Sequence, residues 1–417
     1  MFFPQLLEKF KKKIIWHIYI FGQNMLWAKV KILHVIDYYF PHEGGAERYC
    51  KLLALQHVKD GHKVTILTSD IASKKDKIIR HEVTPEGIEI YRMNSRMLPS
   101  RMPYIHGLEE KIREFSDYDL VHAHTPYPTL AWQVTEALRD MNIPLVTTHH
   151  CDYTRDKEFD DKYREFARVA SKVFVRELFK MSDRIIMSTR AYAETSEEMQ
   201  GFHRKLRVIP MCSTLPEKPG KVEKENYILF VGRLIWYKGV DHLVNAFSII
   251  HKKHPHMRLK IVGRGPFLDK IKRIGRKRLL KYEDFIEEYL KDEELTETYK
   301  KAKVFVLPAY TRRESFGIVL VEAMSHGTPV VVYNIPGPNE LVSKSGGGLI
   351  ADVEDPFDLA DKILQLIENE ELYDQCREKG IKYVHRNLTP DVIARKTMKV
   401  YNSAINSHRK KRKKHGK

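Results

Sequence analysis

Two short segments of the 417-residue chain combine charge, glycine and an apolar run in a way that suits phosphate chemistry. The first, Val231–Gly239, reads VGRLIWYKG and follows an apolar stretch with the pattern of a strand. Gly232 permits a tight turn at the strand's carboxyl end, after which Arg233 and Lys238 supply two cations. Arg grips phosphate as a planar fork and Lys as a mobile point charge. Together they match a leaving diphosphate, whose charge grows as its bond breaks. The second, Glu314–Gly327, reads ESFGIVLVEAMSHG. Ser315, Phe316 and Gly317 form a helix start whose free N–H groups and dipole favour an anion, with room at Gly317 for close approach. Glu322 follows Glu314 by eight residues, about 12 Å along a helix. Carboxylates so spaced suit hydroxyls at opposite ends of a nucleotide-diphosphate sugar. Alternatively Glu314 is a surface carboxylate and Glu322 a snorkelling one, although Glu322 lies inside IVLVEAM, where burial demands a partner.

Weaker signals lie earlier. Gly44-Gly45, in PHEGGAER, is a glycine turn opening a helix, where related folds approach phosphate, and is equally a structural turn. It is not GxGxxG, and a clear acidic residue for a dinucleotide ribose is missing, which argues against a dinucleotide oxidoreductase. Histidines gather at strand ends in VHAHTPY and TTHHCD, both expected to face a cleft. His124 reads as a hydrogen-bonding partner for a sugar, and His122 as a core residue on the other strand face. Neither spacing brings an obvious carboxylate set, so no metal is expected.

These segments sit in a repeating pattern of β-branched run, turn and helix. Lys31–Ile36, Lys63–Thr68, Asp119–Ala123, Pro144–Thr148 and Arg184–Ser188 read as strands buried on both faces, with helix Ala46–Lys59 between the first two. Pro210–Asn226 is rich in Pro and charge and reads as a linker. Beyond it the alternation resumes with Tyr227–Val231, Arg258–Val262, Lys303–Leu307 and Pro329–Tyr333. The expected architecture is α/β: two doubly wound, Rossmann-like domains facing across a cleft that holds the active site. The charged stretch Lys270–Lys301 reads as solvated helical surface.

Lys and Arg number 72 against 55 Asp and Glu, giving +17, of which His408–Lys417 supplies seven and the rest of the chain +10. Such a surplus favours anionic partners. Four scattered cysteines without a CxxC pair fit a reducing compartment. In residues 1–29, Leu6, Phe10, Ile14 and Ile18 recur at helical spacing among lysines, the pattern of a helix lying in a membrane interface. The apolar part is too short to span a bilayer. A packed helix, or a start misassigned upstream of Met25, fits as well.

GRLIWYKGVDHLVNAF, IVGRGP, DEELTETYKKAKVFVLPA, ESFGIVLVEAMSHGTPVV and GPNELV…GGGLI resemble the retaining GT-B glycosyltransferases of family 4, with GGAER, DLVHAH and PLVTTHHCD matching more loosely. ESFGIVLVEAM is especially similar to the phosphatidylinositol mannosyltransferases. The resemblance covers nearly all of residues 30–400 and implies transfer of a hexosyl unit from a UDP- or GDP-sugar to a lipid or glycan acceptor, without metal or cofactor. By the same resemblance Arg233 and Lys238 hold the donor diphosphate, Glu322 the ribose and Glu314 the sugar hydroxyls. The backbone of Phe316, Gly317 and Ile318 contacts sugar and phosphate, Gly45 lies near the diphosphate, and His124 lies near the sugar. Glu314, His124, Arg233 and Lys238 form the expected catalytic group.

The implied domains are 30–215 on the acceptor side and 216–390 on the donor side, with a last helix at about 391–406 returning to the first domain and a basic tail at 407–417. Glu287 replaces a usual glycine near the base site, and Pro336-Gly337 replaces a usual Gly-Gly before Glu340. A phosphorylase or nucleotide-sugar epimerase on the same frame is the enzymatic alternative. The basic ends suggest a cytoplasmic protein touching acidic membrane. With no basic platform interleaved by aromatics, nucleic acid is not an expected partner.

Overall fold

Runs of Val, Ile and Leu that alternate with amphipathic segments bury both faces of a strand only when helices cover both sides of a parallel sheet. The computed structural model has that arrangement twice. It describes residues 29–42, 44–71, 78–99, 102–152, 164–216, 222–277, 285–287 and 290–415, with side chains for all but 164–167 and 411–415. The N-terminal extension up to residue 28, part of the linker and part of the charged stretch lie outside the described residues.

The first half runs β1 (Lys31–Ile36), α1 (Gly45–Lys59), β2 (Lys63–Ser69), β3 (His81–Val83), β4 (Glu89–Met93), the hairpin β5 (Ser95–Leu98) and β6 (Met102–Ile105), α2 (Leu108–Glu114), β7 (Leu120–Thr125), α3 (Pro128–Leu138), β8 (Leu145–His149), α4 (Arg164–Met181), β9 (Arg184–Met187), α5 (Arg190–Glu194) and β10 (Leu206–Val208). Its main sheet has the order β10-β9-β8-β7-β1-β2-β4-β3, parallel except for β3.

The second half runs β11 (Tyr227–Val231), α6 (Val240–Lys253), β12 (Arg258–Val262), α7 (Leu268–Lys277), β13 (Phe285–Ile286), α8 (Asp292–Lys301), β14 (Val304–Leu307), α9 (Ile318–Ser325), β15 (Val330–Tyr333), α10 (Pro338–Ser345), β16 (Gly348–Ala351), α11 (Pro356–Glu368), α12 (Glu370–Asn387) and α13 (Pro390–His415). Its sheet, β13-β12-β11-β14-β15-β16, is parallel throughout. The molecule is therefore a pair of Rossmann-like lobes.

The apolar core under α1 on the first sheet is continuous with the core of the second lobe, while α2, α3 and α4 cover a separate core on the opposite face. The connecting segment begins buried: Met211, Cys212 and Ser213 are almost inaccessible. Helix α13 packs on α1 and β8, with the Tyr401 hydroxyl 2.6 Å from His122 Nδ1. Its backbone stays helical to His415, so most of the basic stretch expected as a tail prolongs this helix. Among the described residues, no helix is long and apolar enough to cross a membrane.

Candidate active site

From β11 the chain winds outward through β12 to β13, then returns to β14 and winds the other way. The crevice outside the strand ends at such a reversal is where doubly wound sheets take ligands. Both charged segments open onto it, one leaving β11 and the other leaving β14 before α9. Lys238 ends a 3-10 turn, Trp236–Lys238, and its ammonium is ion-paired with Glu314. Both side chains are largely buried, 15% and 12% exposed. Burial opposes the ammonium's charge, but Glu314 outweighs it and holds the pKa above the ordinary lysine value. The cation expected to meet the diphosphate and the carboxylate expected to meet the sugar thus hold each other. Arg233 is exposed and within electrostatic reach of Tyr237 on its own loop and of Tyr127 and Glu47 on the first lobe.

Helix α9 begins after Gly317, whose φ of +83° favours glycine. A Cβ there would stand 2.7 Å from Leu320 Cδ1 and 3.0 Å from Leu307 Cδ2. The missing side chain is required by the turn and by the apolar packing beneath it. Gly337, at φ +102°, lies against the Ser315 carbonyl, so the glycine kept in Pro336-Gly337 braces the start of α9. Phe316 is buried. Gly45, the first residue of α1, faces Ile318 across the cleft, where an added Cβ would lie 3.4 Å from Ile318 Cδ1. The N-terminal ends of α1 and α9, the positive ends of two helix dipoles, therefore come together.

Glu322 is buried, as its apolar context implied, but the chain itself satisfies it. Its Oε1 accepts from Arg48 Nη1 at 3.2 Å and Ser213 Oγ at 2.9 Å, and its Oε2 accepts from Tyr299 OH at 2.9 Å. These donors come from α1, the connecting segment and α8, so Glu322 ties the lobes together. A ribose at this carboxylate must share it with them or displace one.

The histidines differ from expectation in three ways. His122 and His124 lie on the same face of β7, because residues two apart in a strand share a face, and their rings are 4.2 Å apart. His149 points to the opposite face from His150 and packs edge-on against Phe179, so only His150 joins His124. Third, His149 does have carboxylates, with Nε2 3.1 Å from Asp152 Oδ1 and 2.9 Å from Glu198 Oε2. Burial works against its charge, but these two partners prevail and lift its pKa to about 9.

His124 is fully engaged: Nε2 lies 3.0 Å from His34 Nδ1, and Nδ1 lies 3.1 Å from His150 Nε2. Burial first, then the neighbouring rings, push His124 and His122 well below the usual histidine value. The cluster is a chain of neutral rings at the first sheet's own reversal, where Ile36 of β1 pairs with His124 of β7. Among the described residues, two groups bring donor atoms close enough for a metal ion: His34, His122 and His124, and His149, Asp152 and Glu198. In the first, His34 bonds His124 while His122 bonds Tyr401 and Thr148; in the second, His149 Nε2 bonds Asp152 Oδ1, and Glu198 Oε2 faces it at 2.9 Å without a hydrogen bond of its own.

Sequence reasoning passed over Arg48, Asp152, Ser213, Tyr299 and Arg312. Arg48 carries a readable signal, three residues beyond Gly45 and hence one helical turn into α1. Asp152, in HHCD, lies three residues past His149. Arg312 and Arg313 are adjacent, and nothing in their order reveals that Arg312 bonds Asp152 of the first lobe. Near the expected base site, Glu287 pairs through its carboxylate with Lys272 and through its carbonyl with Arg264.

Residues 213–383 match the family model described as glycosyl transferases group 1, and residues 43–212 the model described as glycosyltransferase family 4. The chain is 24% identical over 401 residues to D-inositol 3-phosphate glycosyltransferase of Corynebacterium glutamicum, covering 87% of this chain and 92% of that one. It is 23% identical over 394 residues to O-antigen chain mannosyltransferase C of Escherichia coli, covering 91% and 100%. Among solved structures, sucrose-phosphate synthase from Thermosynechococcus elongatus aligns with a TM-score of 0.69 at 20% identity, over 90% of this chain and 100% of that one. HepE of Anabaena, crystallised with UDP and glucose, aligns with a TM-score of 0.69 at 18% identity over the same shares.

Proposed function

Because the chain belongs to the group 1 and family 4 glycosyltransferases, with their two-lobed GT-B fold, we propose that it is a retaining, metal-independent hexosyltransferase. It takes its sugar from a UDP- or GDP-hexose and delivers it to a lipid or glycan acceptor. The observation that carries the reading is the Lys238–Glu314 ion pair at the second sheet's reversal. A diphosphate entering between Arg233, Lys238 and the starts of α1 and α9 competes for the Lys238 ammonium. Its arrival releases the Glu314 carboxylate for the sugar's hydroxyls, so diphosphate and sugar are recognised by one exchange of partners.

The bond between the anomeric carbon and the β-phosphate oxygen then breaks, with Arg233 and Lys238 stabilising the charge that collects on the leaving group. The acceptor oxygen bonds to the same face of the sugar, and its proton passes to the departing phosphate. Glu322 takes the ribose, and the backbone of Phe316, Gly317 and Ile318 borders the sugar and phosphates. His124 contributes as a neutral hydrogen-bonding ring, reaching the sugar when His150 turns aside. We assign residues 30–215 to the acceptor side and 216–390 to the donor side. The basic end of α13 meets acidic headgroups, which brings the enzyme to a lipid-linked acceptor. HepE in its complex with UDP-glucose, and the E. coli mannosyltransferase named for O-antigen chains, agree with the donor and acceptor classes.

A panel of UDP- and GDP-hexoses, offered with lipid-linked and glycan acceptor pools, tests the reading. Acceptor-dependent release of a nucleoside diphosphate is expected, unaffected by EDTA, with the product's anomeric configuration by NMR matching the donor's. An inverted anomer refutes retention, and inhibition by EDTA refutes metal independence. Phosphate-driven cleavage or an epimerised sugar nucleotide would replace transfer by one of the two alternatives.

A further inference from the structure

The loop that carries Glu314 is fastened to the opposite lobe on both sides of that residue. After it, the Ser315 carbonyl accepts from Ser188 Oγ at 3.2 Å. Before it, Arg312 leaves its own lobe altogether. Its guanidinium lies 4.6 Å from the centre of the Tyr192 ring, with Nη2 2.7 Å from Asp152 Oδ2 and 3.4 Å from the Tyr192 carbonyl, and Nη1 bonded to Thr195 Oγ1. Arg313 next to it has its guanidinium 5.0 Å from the centre of the Tyr237 ring of its own lobe and lies within electrostatic reach of Cys151 on the first.

The receiving surface is built in advance by the first lobe. Asp152 Oδ1 accepts from Ser196 Oγ at 2.6 Å and faces His149 Nε2 at 3.1 Å, while the Asp152 N–H donates to Tyr192 OH at 2.8 Å. Behind His149, Glu198 closes the series at 2.9 Å and is itself held by Ser171 Oγ at 2.8 Å. Arginine, aspartate, histidine and glutamate thus alternate in charge from the donor loop into the first lobe's interior. Surface ion pairs cost two flexible side chains their freedom and hold little. Here Asp152 is 12% exposed and already locked, so only Arg312 has to be ordered.

We propose that Arg312 is a positioning residue, docking into the Asp152–Tyr192 socket when the lobes close and thereby setting the loop that presents Glu314 to the donor sugar. The proposal rests on Glu314 contacting that sugar. It makes assembly of the sugar site conditional on closure: the open enzyme can bind the nucleotide at Arg233 and Lys238 but lacks a correctly placed carboxylate. Closure-dependent assembly limits transfer to water.

The test is a double-mutant cycle on the full chain, using the sugar nucleotide that turns over in the donor panel. Arg312→Ala is expected to lower kcat about 10- to 100-fold, the scale of a small misplacement of a reacting group. Calorimetric affinity for UDP or GDP should fall by a smaller factor than kcat, since Arg233 and Lys238 still hold the diphosphate and only the part of binding coupled to closure is lost. Combined with Glu314→Gln, Arg312→Ala should add almost no further loss, and Arg312→Lys should recover part of the single-site loss. Spin labels on the two lobes should report closure with nucleotide in the wild type and a wider distribution in Arg312→Ala. Unchanged kcat for Arg312→Ala, or fully additive losses with an impaired Glu314→Gln, overturns the proposal while leaving Glu314 its role. An unimpaired Glu314→Gln removes that role and the proposal with it. Should Arg312→Ala not fold, Asp152→Asn, which keeps the socket's shape, carries the same expectations.

Discussion

The two lobes share a topology and reverse their strand order at equivalent places, yet they furnish the two crevices oppositely. At the second sheet's reversal the groups are acidic and basic side chains: Arg233, Lys238, Glu314 and, further along α9, Glu322. At the first sheet's reversal they are neutral rings, His34, His122, His124 and His150, packed against one another and buried. His149, the one imidazole of this group held charged, sits on the far face of that sheet between two carboxylates. A parallel doubly wound sheet supplies a place for a ligand, and the side chains decide which one. Charge suits a diphosphate, whereas uncharged hydrogen-bonding groups suit hydroxyls on a sugar or an acceptor.

That contrast can be broken in steps. Removing a cation from the charged crevice should do most. Lys238→Ala or Arg233→Ala is expected to lower turnover about 10²- to 10³-fold through lost stabilisation of the leaving diphosphate. Steady-state kinetics with the preferred donor measures it, and near-normal rates would mean the diphosphate lies elsewhere. Lys238→Ala also leaves Glu314 without its ion-pair partner, so its melting temperature should be compared with that of Arg233→Ala.

The two histidine populations should separate by pH. His149 has a folded-state value of about 9, above its unfolded value, so its contribution is complete below about pH 6.5 and is lost as pH rises through about 9. The contribution is of the order of 3 kcal/mol. The neutral cluster works the other way. Burial lowers His34 and His150 to about 3, so stability falls as pH drops below about 6.5, where only the unfolded chain takes up protons. Melting temperatures against pH should show both limbs, and His149→Gln should remove the alkaline one alone. An alkaline limb that survives in His149→Gln assigns it to another group.

Glu322→Gln sharpens the comparison within the charged crevice. Losing charged hydrogen bonds to the ribose should raise the donor's KM about 10- to 100-fold while kcat falls less. Equal losses in both would place Glu322 in the chemical step instead. The smallest effect belongs to the neutral crevice. His124→Ala should lower kcat/KM by about 3- to 10-fold, the worth of one uncharged hydrogen bond, and a loss as large as that of Lys238→Ala would erase the distinction between the crevices.

Much of the scaffold was legible because buried parallel strands announce themselves as unbroken β-branched runs. β1, β11 and β12 have the expected spans, and β2, β8, β9, β14 and β15 differ by a residue at one end or both. β4, β10 and β16 were missed, since EIYRM mixes charge with apolar residues, LRV is three half-buried residues and GLIA begins with glycine. β7 runs past its expected end and takes His124 into the strand.

The charged crevice was legible too, since Arg233, Lys238, Glu314 and Glu322 lie in two compact segments beside strands. What could not be read were contacts made across 160 or 274 residues, Arg312 with Asp152 and Arg48 with Glu322. Pairing at that separation is set by how the lobes meet, and no local pattern encodes it. The fate of Lys238 and Glu314 was hidden for a related reason, since each was matched to a ligand rather than to the other.

Titration calorimetry with UDP and GDP, on the wild type and on Lys238→Ala, bears most directly on the claim that the second lobe's cations receive a nucleoside diphosphate. The account predicts that at least one of the two binds the wild type and that the variant binds it at least about tenfold more weakly, the loss of a charge-assisted contact. Absence of heat with both nucleotides, or equal affinities for wild type and variant, would contradict it.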